Sequence, residues 1–269
     1  MTMRASVIVP SYQAPRELDL CLAGIARQSS VPLEVLVADD GSDQLTGAVI
    51  EKWKGKLGCE LIHVWHPDQG RRKAEICNRA VKKSTGESLI FIDGDSIPHS
   101  RWIHDHQIAA EHADVCCGRR VKLGPRITPK ISLEMVEDGS LERLLGPVTR
   151  SALRGDTGRF GLGVRLPKWA ARILHPRPRK LMGVNFSVRR DALYRVNGYD
   201  HEWNNTQRED KDLDLRLRRG GFRFYPLLNR AIVYHLHHPE RVPSAETEER
   251  VRREELAERV RCRVGLSTT

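Results

Sequence analysis

The chain has 269 residues, 39% hydrophobic and 30% charged, with a formal net charge of +10, a balance that suits a soluble globular protein with a sizeable core. It has no run of 18 apolar residues, which excludes a membrane-spanning helix, and its first apolar stretch lacks the small-residue cleavage region of a signal peptide. The six cysteines show no CxxC or Cys/His metal spacing and fit reduced thiols in a cytoplasmic protein.

In chain order, "ASVIVPSY" predicts a strand ending at Pro10, and helical spacing follows at Leu18, Leu22 and Ile25. "LEVLVADDGS" is a second strand running into Asp39, Asp40 and Gly41, before a helix over about 45–56. "CELIHVW" is a third strand, and a helix over about 73–83 leads to "SLIFIDGDSIP". There the continuous apolar run of Leu89 to Ile92 marks a strand covered on both faces, which must stop at Asp93. A helix near 102–112 precedes a further strand, "DVCCGRRVKL". This alternation predicts an α/β fold with a mainly parallel sheet and right-handed crossovers. The stretch over about 127–180 has broken periodicity. Order returns at "LMGVNFSVRRDALYRVNGYD", a strand and a short helix, and the tail after Pro243 reads as a charged helix.

Ligands of parallel sheets bind at the carboxyl ends of the strands. Ser11, Asp39, Asp40, Asp93 and Asp95 all fall there. An Asp-Gly-Asp at a strand end is either an ordinary turn or an oxygen site for Mg²⁺ or Mn²⁺ carrying a diphosphate. In "REDKDLDLRLRRGG" the acids Glu209 and Asp210 open a helix that Gly220 and Gly221 close. They either complement its dipole or present a general base to a cleft. "RAIVYHLHHP" is an apolar strand bearing His235, His237 and His238; alternation puts His235 and His237 on one face, and His235 is the best placed to complete a metal site begun by Asp95. Neither a G-x-G-x-x-G nor a G-x-x-x-x-G-K-[ST] motif is present, so dinucleotide-binding and P-loop chemistry are unsupported.

The positive charge is concentrated. Residues 150–180 hold nine Lys/Arg against one acid, Asp156, interleaved with Trp169, Ile173 and Leu174. That is the pattern of a segment lying on an anionic lipid surface, or else of a solvated basic loop. Arg165, Lys168, Trp169 and Arg172 are its candidate contacts with membrane or acceptor.

The motifs "SVIVPSYQ", "EVLVADDGS", "GRRKAEICNRAVKKSTGESLIFIDGDSIP" and "GVNFSVRRDALYRVNGYDHEW…REDKDLDLRLRRGG" resemble, in kind and order, the family 2 glycosyltransferases of the GT-A fold. The last also resembles the C-terminal half of β-1,4-galactosyltransferase-type enzymes. The resemblance implies an inverting, Mn²⁺- or Mg²⁺-dependent transfer from a nucleotide-sugar, with UDP-Gal, UDP-GalNAc or UDP-Glc expected, to a glycan or lipid-linked glycan acceptor in bacterial surface polysaccharide or lipopolysaccharide synthesis. Pro10, Ser11, Tyr12, Asp39, Asp40, Lys73, Asp93 and Gly94 would line the nucleotide-sugar site, Gly94 by letting the backbone approach closely. Asp39 or Asp40 would bond the uracil or ribose. Asp95, His235 and Asp93 would hold the metal. Asp210 would be the base, with Glu209 beside it holding the acceptor. The expected layout is a GT-A domain over 1–240, with a nucleotide half over 1–125, a basic insertion over 126–180 and an acceptor half over 181–240. A charged helix over 241–269 follows.

The sequence departs from membrane-embedded synthases in lacking a Q-x-x-R-W motif, and from animal galactosyltransferases in the lead into "QRED". A cytoplasmic enzyme, peripheral on the inner face of the plasma membrane, is therefore expected. A nucleotidylyltransferase would need a glycine-rich loop after the first strand, and "PSYQAPRE" has none. A nucleic-acid-binding protein is disfavoured by 6% aromatic content and the absence of a binding motif. A catalytically dead scaffold is disfavoured by the intact Asp95, Asp210 and His235.

Overall fold

The computed structural model of the chain describes residues 3–206, 208–239 and 244–268. The expected boundary at 240, and Gln207 of "QRED", lie outside the described residues. Strand and helix alternate through the first half: β1 (Ala5–Ser11), α1 (Pro15–Ala26), β2 (Glu34–Asp39), α2 (Gln44–Trp53), β3 (Glu60–Trp65), α3 (Lys73–Lys83) and β4 (Ser88–Phe91). Next come β5 (Ser96–Pro98), α4 (Trp102–Ala110), β6 (Val115–Cys117), β7 (Arg119–Lys122), α5 (Leu133–Glu137), α6 (Pro147–Leu153) and α7 (Lys168–Leu174). The chain then forms β8 (Phe186–Arg189), α8 (Arg190–Arg195), α9 (Glu209–Arg219), β9 (Phe224–Pro226), β10 (Ile232–His235) and α10 (Ala245–Leu256).

Seven strands form the central sheet in the order β3-β2-β1-β4-β8-β6-β9, with β8 antiparallel to both neighbours and the other pairings parallel. Each central strand feeds two cores. Val7, Val9, Val35, Val37, Ile90 and Ile92 face one layer, while Ile8, Leu36, Ala38, Leu89 and Phe91 face the other. Both faces are covered, so these strands read as unbroken apolar runs rather than as alternation. Each such Leu, Ile or Phe contributes roughly 1.5–3 kcal/mol of burial.

Four expected boundaries are corrected. β1 continues past Pro10 to Ser11, because a strand needs no N–H from a residue whose carbonyl alone is used, and Pro10 O accepts from Gly94 N at 2.9 Å. β4 stops at Phe91, before Asp93. "DVCCGRRVKL" is two strands in different sheets, since the chain leaves the central sheet at Gly118 and β7 joins a small sheet of order β5-β10-β7. A Cβ at residue 118 would sit 2.3 Å from the Asn185 amide, whose Nδ2 donates to Arg119 O at 2.7 Å and to Ala231 O at 2.8 Å, stitching the sheets together. The tail helix α10 ends at Leu256; beyond it the chain turns back and buries Cys262 and Leu266 against the domain.

The basic insertion folds as short helices, α5 to α7, joined by 3₁₀ turns. Arg165 does not face outward as expected. With Arg230 it grips the buried Asp105, Nη2 to Oδ1 at 2.9 Å, anchoring the insertion to α4. Lys168, Trp169 and Arg172 are exposed, with Trp169 at 69%, Ile173 at 73% and Leu174 at 61%. The Arg172 guanidinium lies 5.0 Å from the Tyr225 ring centroid. Among the described residues no helix is long and apolar enough to cross a membrane. Five cysteines are buried and Cys59 is half-buried, and none is bridged.

Candidate active site

The carboxyl ends of β1, β2 and β4 open onto a cleft of about 390 Å³ lined by Pro10, Ser11, Tyr12, Asp40, Lys73, Asp93, Gly94 and Asp95, among others. Ser11 Oγ is buried there without a protein partner. Gly94 packs tightly, since a Cβ there would fall 3.1 Å from Pro10 O and 3.3 Å from Ser11 Oγ. The close approach is therefore of the loop to β1.

The two aspartates at the end of β2 are held differently from expectation. Asp39 is fully buried and does not line the cleft. Its Oδ2 lies 2.9 Å from His63 Nε2 and its Oδ1 accepts from Ser42 N at 2.8 Å. Burial alone would raise its pKa, but the His63 and Ser42 hydrogen bonds prevail and lower it. Asp40 lines the cleft with both oxygens engaged, Oδ1 2.7 Å from His66 Nε2 and Oδ2 accepting from Arg72 N at 2.8 Å. His63 and His66, which sequence reasoning passed over, project from the end of β3 and just beyond it.

At the other end the cleft widens to a second space of about 1060 Å³, shared by Lys73, Asp93 and Asp95 with Arg120, Lys180, Gly183, Glu209, Asp210, His235 and His238. Three groups converge on one point: Asp95 Oδ1 is 3.5 Å from His235 Nε2, and Asp95 Oδ2 is 3.3 Å from His238 Nε2. All three donor atoms lie within 4.8 Å of one another, at separations longer than good hydrogen bonds. Burial and the neighbouring Asp93 raise the Asp95 pKa to about 6. Burial and the Arg120 charge lower that of His235 to about 3, so its imidazole is neutral with a free lone pair. His238 Nδ1 lies 3.0 Å from Pro239 O, which leaves Nε2 free to point inward. These residues fit a divalent cation. Two imidazole nitrogens suit Mn²⁺ better than Mg²⁺, which seeks oxygen ligands.

Alternation had paired His235 with His237. Instead β10 ends at His235, the chain continues without regular structure, and His238 approaches Asp95 while His237 N donates to Thr128 Oγ1 at 2.9 Å. The signal in the sequence was the i, i+3 spacing past a strand end. Asp93, expected at the metal, is not part of this group; its Oδ1 accepts from Lys73 Nζ at 2.8 Å. Burial would depress the Lys73 pKa, but Asp93, Asp210 and Glu209 reverse the sign and raise it.

Asp210 faces the same wide cleft from the first turn of α9. Its Oδ2 accepts from Gly183 N at 3.1 Å and its Oδ1 from Tyr199 Oη at 3.3 Å. A Cβ on residue 183 would lie 2.2 Å from Oδ2, so Gly183 is what admits the carboxylate. Burial raises the Asp210 pKa to about 6; Lys73 opposes the shift, and Glu209 and Asp93 add to it. Glu209, expected to hold an acceptor, is 2% exposed and clamped by Arg71, Nη1 to Oε2 at 3.2 Å, with Lys73 Nζ 3.9 Å away. It braces the cleft wall.

The family model described as Glycosyl transferase family 2 matches residues 6–160, more than half of the chain. Among curated relatives, Chondroitin synthase of Pasteurella multocida (strain Pm70) is 26% identical over 246 residues, 87% of this chain and 25% of that protein. Validoxylamine A glucosyltransferase of Streptomyces hygroscopicus subsp. limoneus is 27% identical over 228 residues, 80% of this chain and 48% of that protein. The chain thus spans a quarter to about half the length of these two relatives. Among solved structures, S. aureus TarS 1-349 in complex with UDP-GlcNAc superposes with a TM-score of 0.64 at 19% identity, covering 98% of this chain and 69% of that one. This likeness, repeated at a TM-score of 0.63 for the complex with UDP, bears out the expected mixed α/β GT-A architecture.

Proposed function

We propose that this chain, which belongs to glycosyl transferase family 2, moves a hexose or N-acetylhexosamine from a UDP-sugar to a hydroxyl of a glycan acceptor, with inversion and with a divalent cation. The observation that carries the reading is that Asp95, His235 and His238 gather at one point of a cleft that Asp210 also lines. The choice of UDP is supported by a structural neighbour solved with UDP and with UDP-GlcNAc.

In this reading Pro10, Ser11, Tyr12 and Asp40 receive the nucleoside, with Asp39 fixing the turn behind them. Asp95, His235 and His238 would hold the cation, which when bound would stabilise charge on the departing diphosphate. Asp210 Oδ takes the proton from the acceptor hydroxyl. The acceptor oxygen bonds to the anomeric carbon as the bond from that carbon to the diphosphate breaks, and UDP leaves with the electron pair. A base on the face opposite the leaving group turns an α-linked donor into a β-linked product. Gly183 N–H and Tyr199 Oη orient the carboxylate for this role.

Surface polysaccharide or lipopolysaccharide synthesis at the inner membrane face remains the proposed setting. The exposed Lys168, Trp169 and Arg172 of α7 support contact with anionic lipid. The likeness to β-1,4-galactosyltransferase-type enzymes rests on sequence alone and leaves the donor sugar to experiment. The test is UDP release from UDP-Gal, UDP-GalNAc, UDP-Glc and UDP-GlcNAc, with Mn²⁺ or with EDTA. Release from one donor, abolished by EDTA, is expected; no release from any donor, under conditions where the nucleotide binds, would sink the reading.

A further inference from the structure

The wide cleft carries six cations, and four of them are already matched. Arg71 pairs with Glu209, Lys73 with Asp93, Arg208 with Glu248 and Lys211 with Glu255. The side chains of Arg120 and Lys180 make no hydrogen bond or close ion pair with any described residue, and Lys180 feels Glu255 only at longer range. Arg120 stands on β7 in register with Val233 of β10, two residues before His235. Its Nε is buried with no partner, an uncommon state for a group that desolvation penalises. A divalent cation at His235 would put more positive charge beside an unpaired guanidinium, which is favourable only if an anion arrives as well.

The donor diphosphate is one source of such an anion, but the lining of the two spaces argues for another. Arg71, Lys73, Asp93 and Asp95 border both the narrow nucleotide cleft and the wide one, whereas Arg120 and Lys180 border the wide one alone, with Gly183 and Asp210. On the proposed reading that is the acceptor's side. We infer that Arg120, assisted by Lys180, binds a carboxylate or phosphate on the acceptor, so that the enzyme selects a uronic-acid-bearing or phosphorylated glycan over a neutral one. The planar fork of Arg120 suits either anion in two-point contact. The inference deepens the glycosyltransferase reading and rests on it for the identity of the acceptor side.

The test uses paired probes on the full chain in saturating UDP and Mn²⁺, read by saturation-transfer NMR titration: p-nitrophenyl β-D-glucuronide against the β-D-glucoside, and glucose 6-phosphate against glucose. The anionic member of at least one pair should bind about tenfold more tightly. Arg120→Gln should erase that preference while changing UDP affinity by less than about twofold, and Arg120→Lys should keep part of it. Equal binding of both members by the wild type overturns the inference. So does a loss of UDP affinity in Arg120→Gln, which would assign the guanidinium to the donor diphosphate. Failure of UDP to bind the wild type would instead strike the donor-site reading, and the same pairs titrated without nucleotide would still decide whether Arg120 selects anions.

Discussion

The two ends of the cleft hold carboxylates in opposite ways. At the nucleoside end Asp39 and Asp40 are matched atom for atom by His63, His66 and backbone N–H groups, and Asp39 is held below the ordinary carboxylate range. At the reaction end Asp95 and Asp210 are crowded by burial and by other acids, and both are raised to about 6. The first end is finished by the fold itself. The second is left with negative charge that a cation and an acceptor proton would relieve, and that difference separates framework from chemistry.

The largest effect that can sharpen this contrast is on catalysis. Asp210→Asn keeps the shape and an acceptor for Gly183 N–H but cannot take a proton, so transfer should fall by ~10²–10⁴-fold with UDP affinity unchanged. Retained activity would place the base elsewhere. Next comes Gly183→Ala, whose Cβ would fall 2.2 Å from Asp210 Oδ2 and force the carboxylate to move. It should lower kcat more than it raises KM for the donor; an unchanged kcat would show that the carboxylate does not need that seat.

Stability gives a smaller effect with opposite signs at the two ends. Asp39 has a lowered folded pKa, so its contribution is present in full above the ordinary carboxylate range and is lost as pH falls through it. Asp210 has a raised folded pKa, so its contribution is present at low pH and is lost as pH rises through about 6. At pH 7.5 Asp39→Asn should therefore lower Tm by several degrees, while Asp210→Asn should raise it, and the gain should shrink at pH 4.5. Two changes of the same sign would break the comparison. The smallest expected effect is on the pH profile, where kcat for the wild type should decline below about pH 6 as Asp210 protonates.

The frame of this arrangement was legible in the sequence because β1, β2 and β4 are buried on both faces and announce themselves as apolar runs, the last two leading into aspartates. Asp95 and Asp210 stood at positions where local rules fix the backbone, a strand end and a helix start. What escaped reading was everything set by distant packing. The chain changes sheets at Gly118, where Asn185, far away in the sequence, fills the space a side chain would need. His238 reaches Asp95 from the irregular stretch after β10, which period-two alternation does not describe. Glu209 was read as a site acid because its partner, Arg71, is 138 positions away in the chain. Arg165 read as one more charge in a basic run until Asp105 appeared beneath it.

The central claim is that Asp95, His235 and His238 hold a cation which in turn holds a nucleotide. The most direct measurement is the thermal shift produced by UDP with Mn²⁺, Mg²⁺ or EDTA, in the wild type and in Asp95→Asn and His238→Ala, since a ligand that binds only the native state must raise Tm. A UDP shift that needs Mn²⁺, vanishes in EDTA and is lost in both variants is the predicted result. A shift of equal size in EDTA, or one that survives both substitutions, would contradict it.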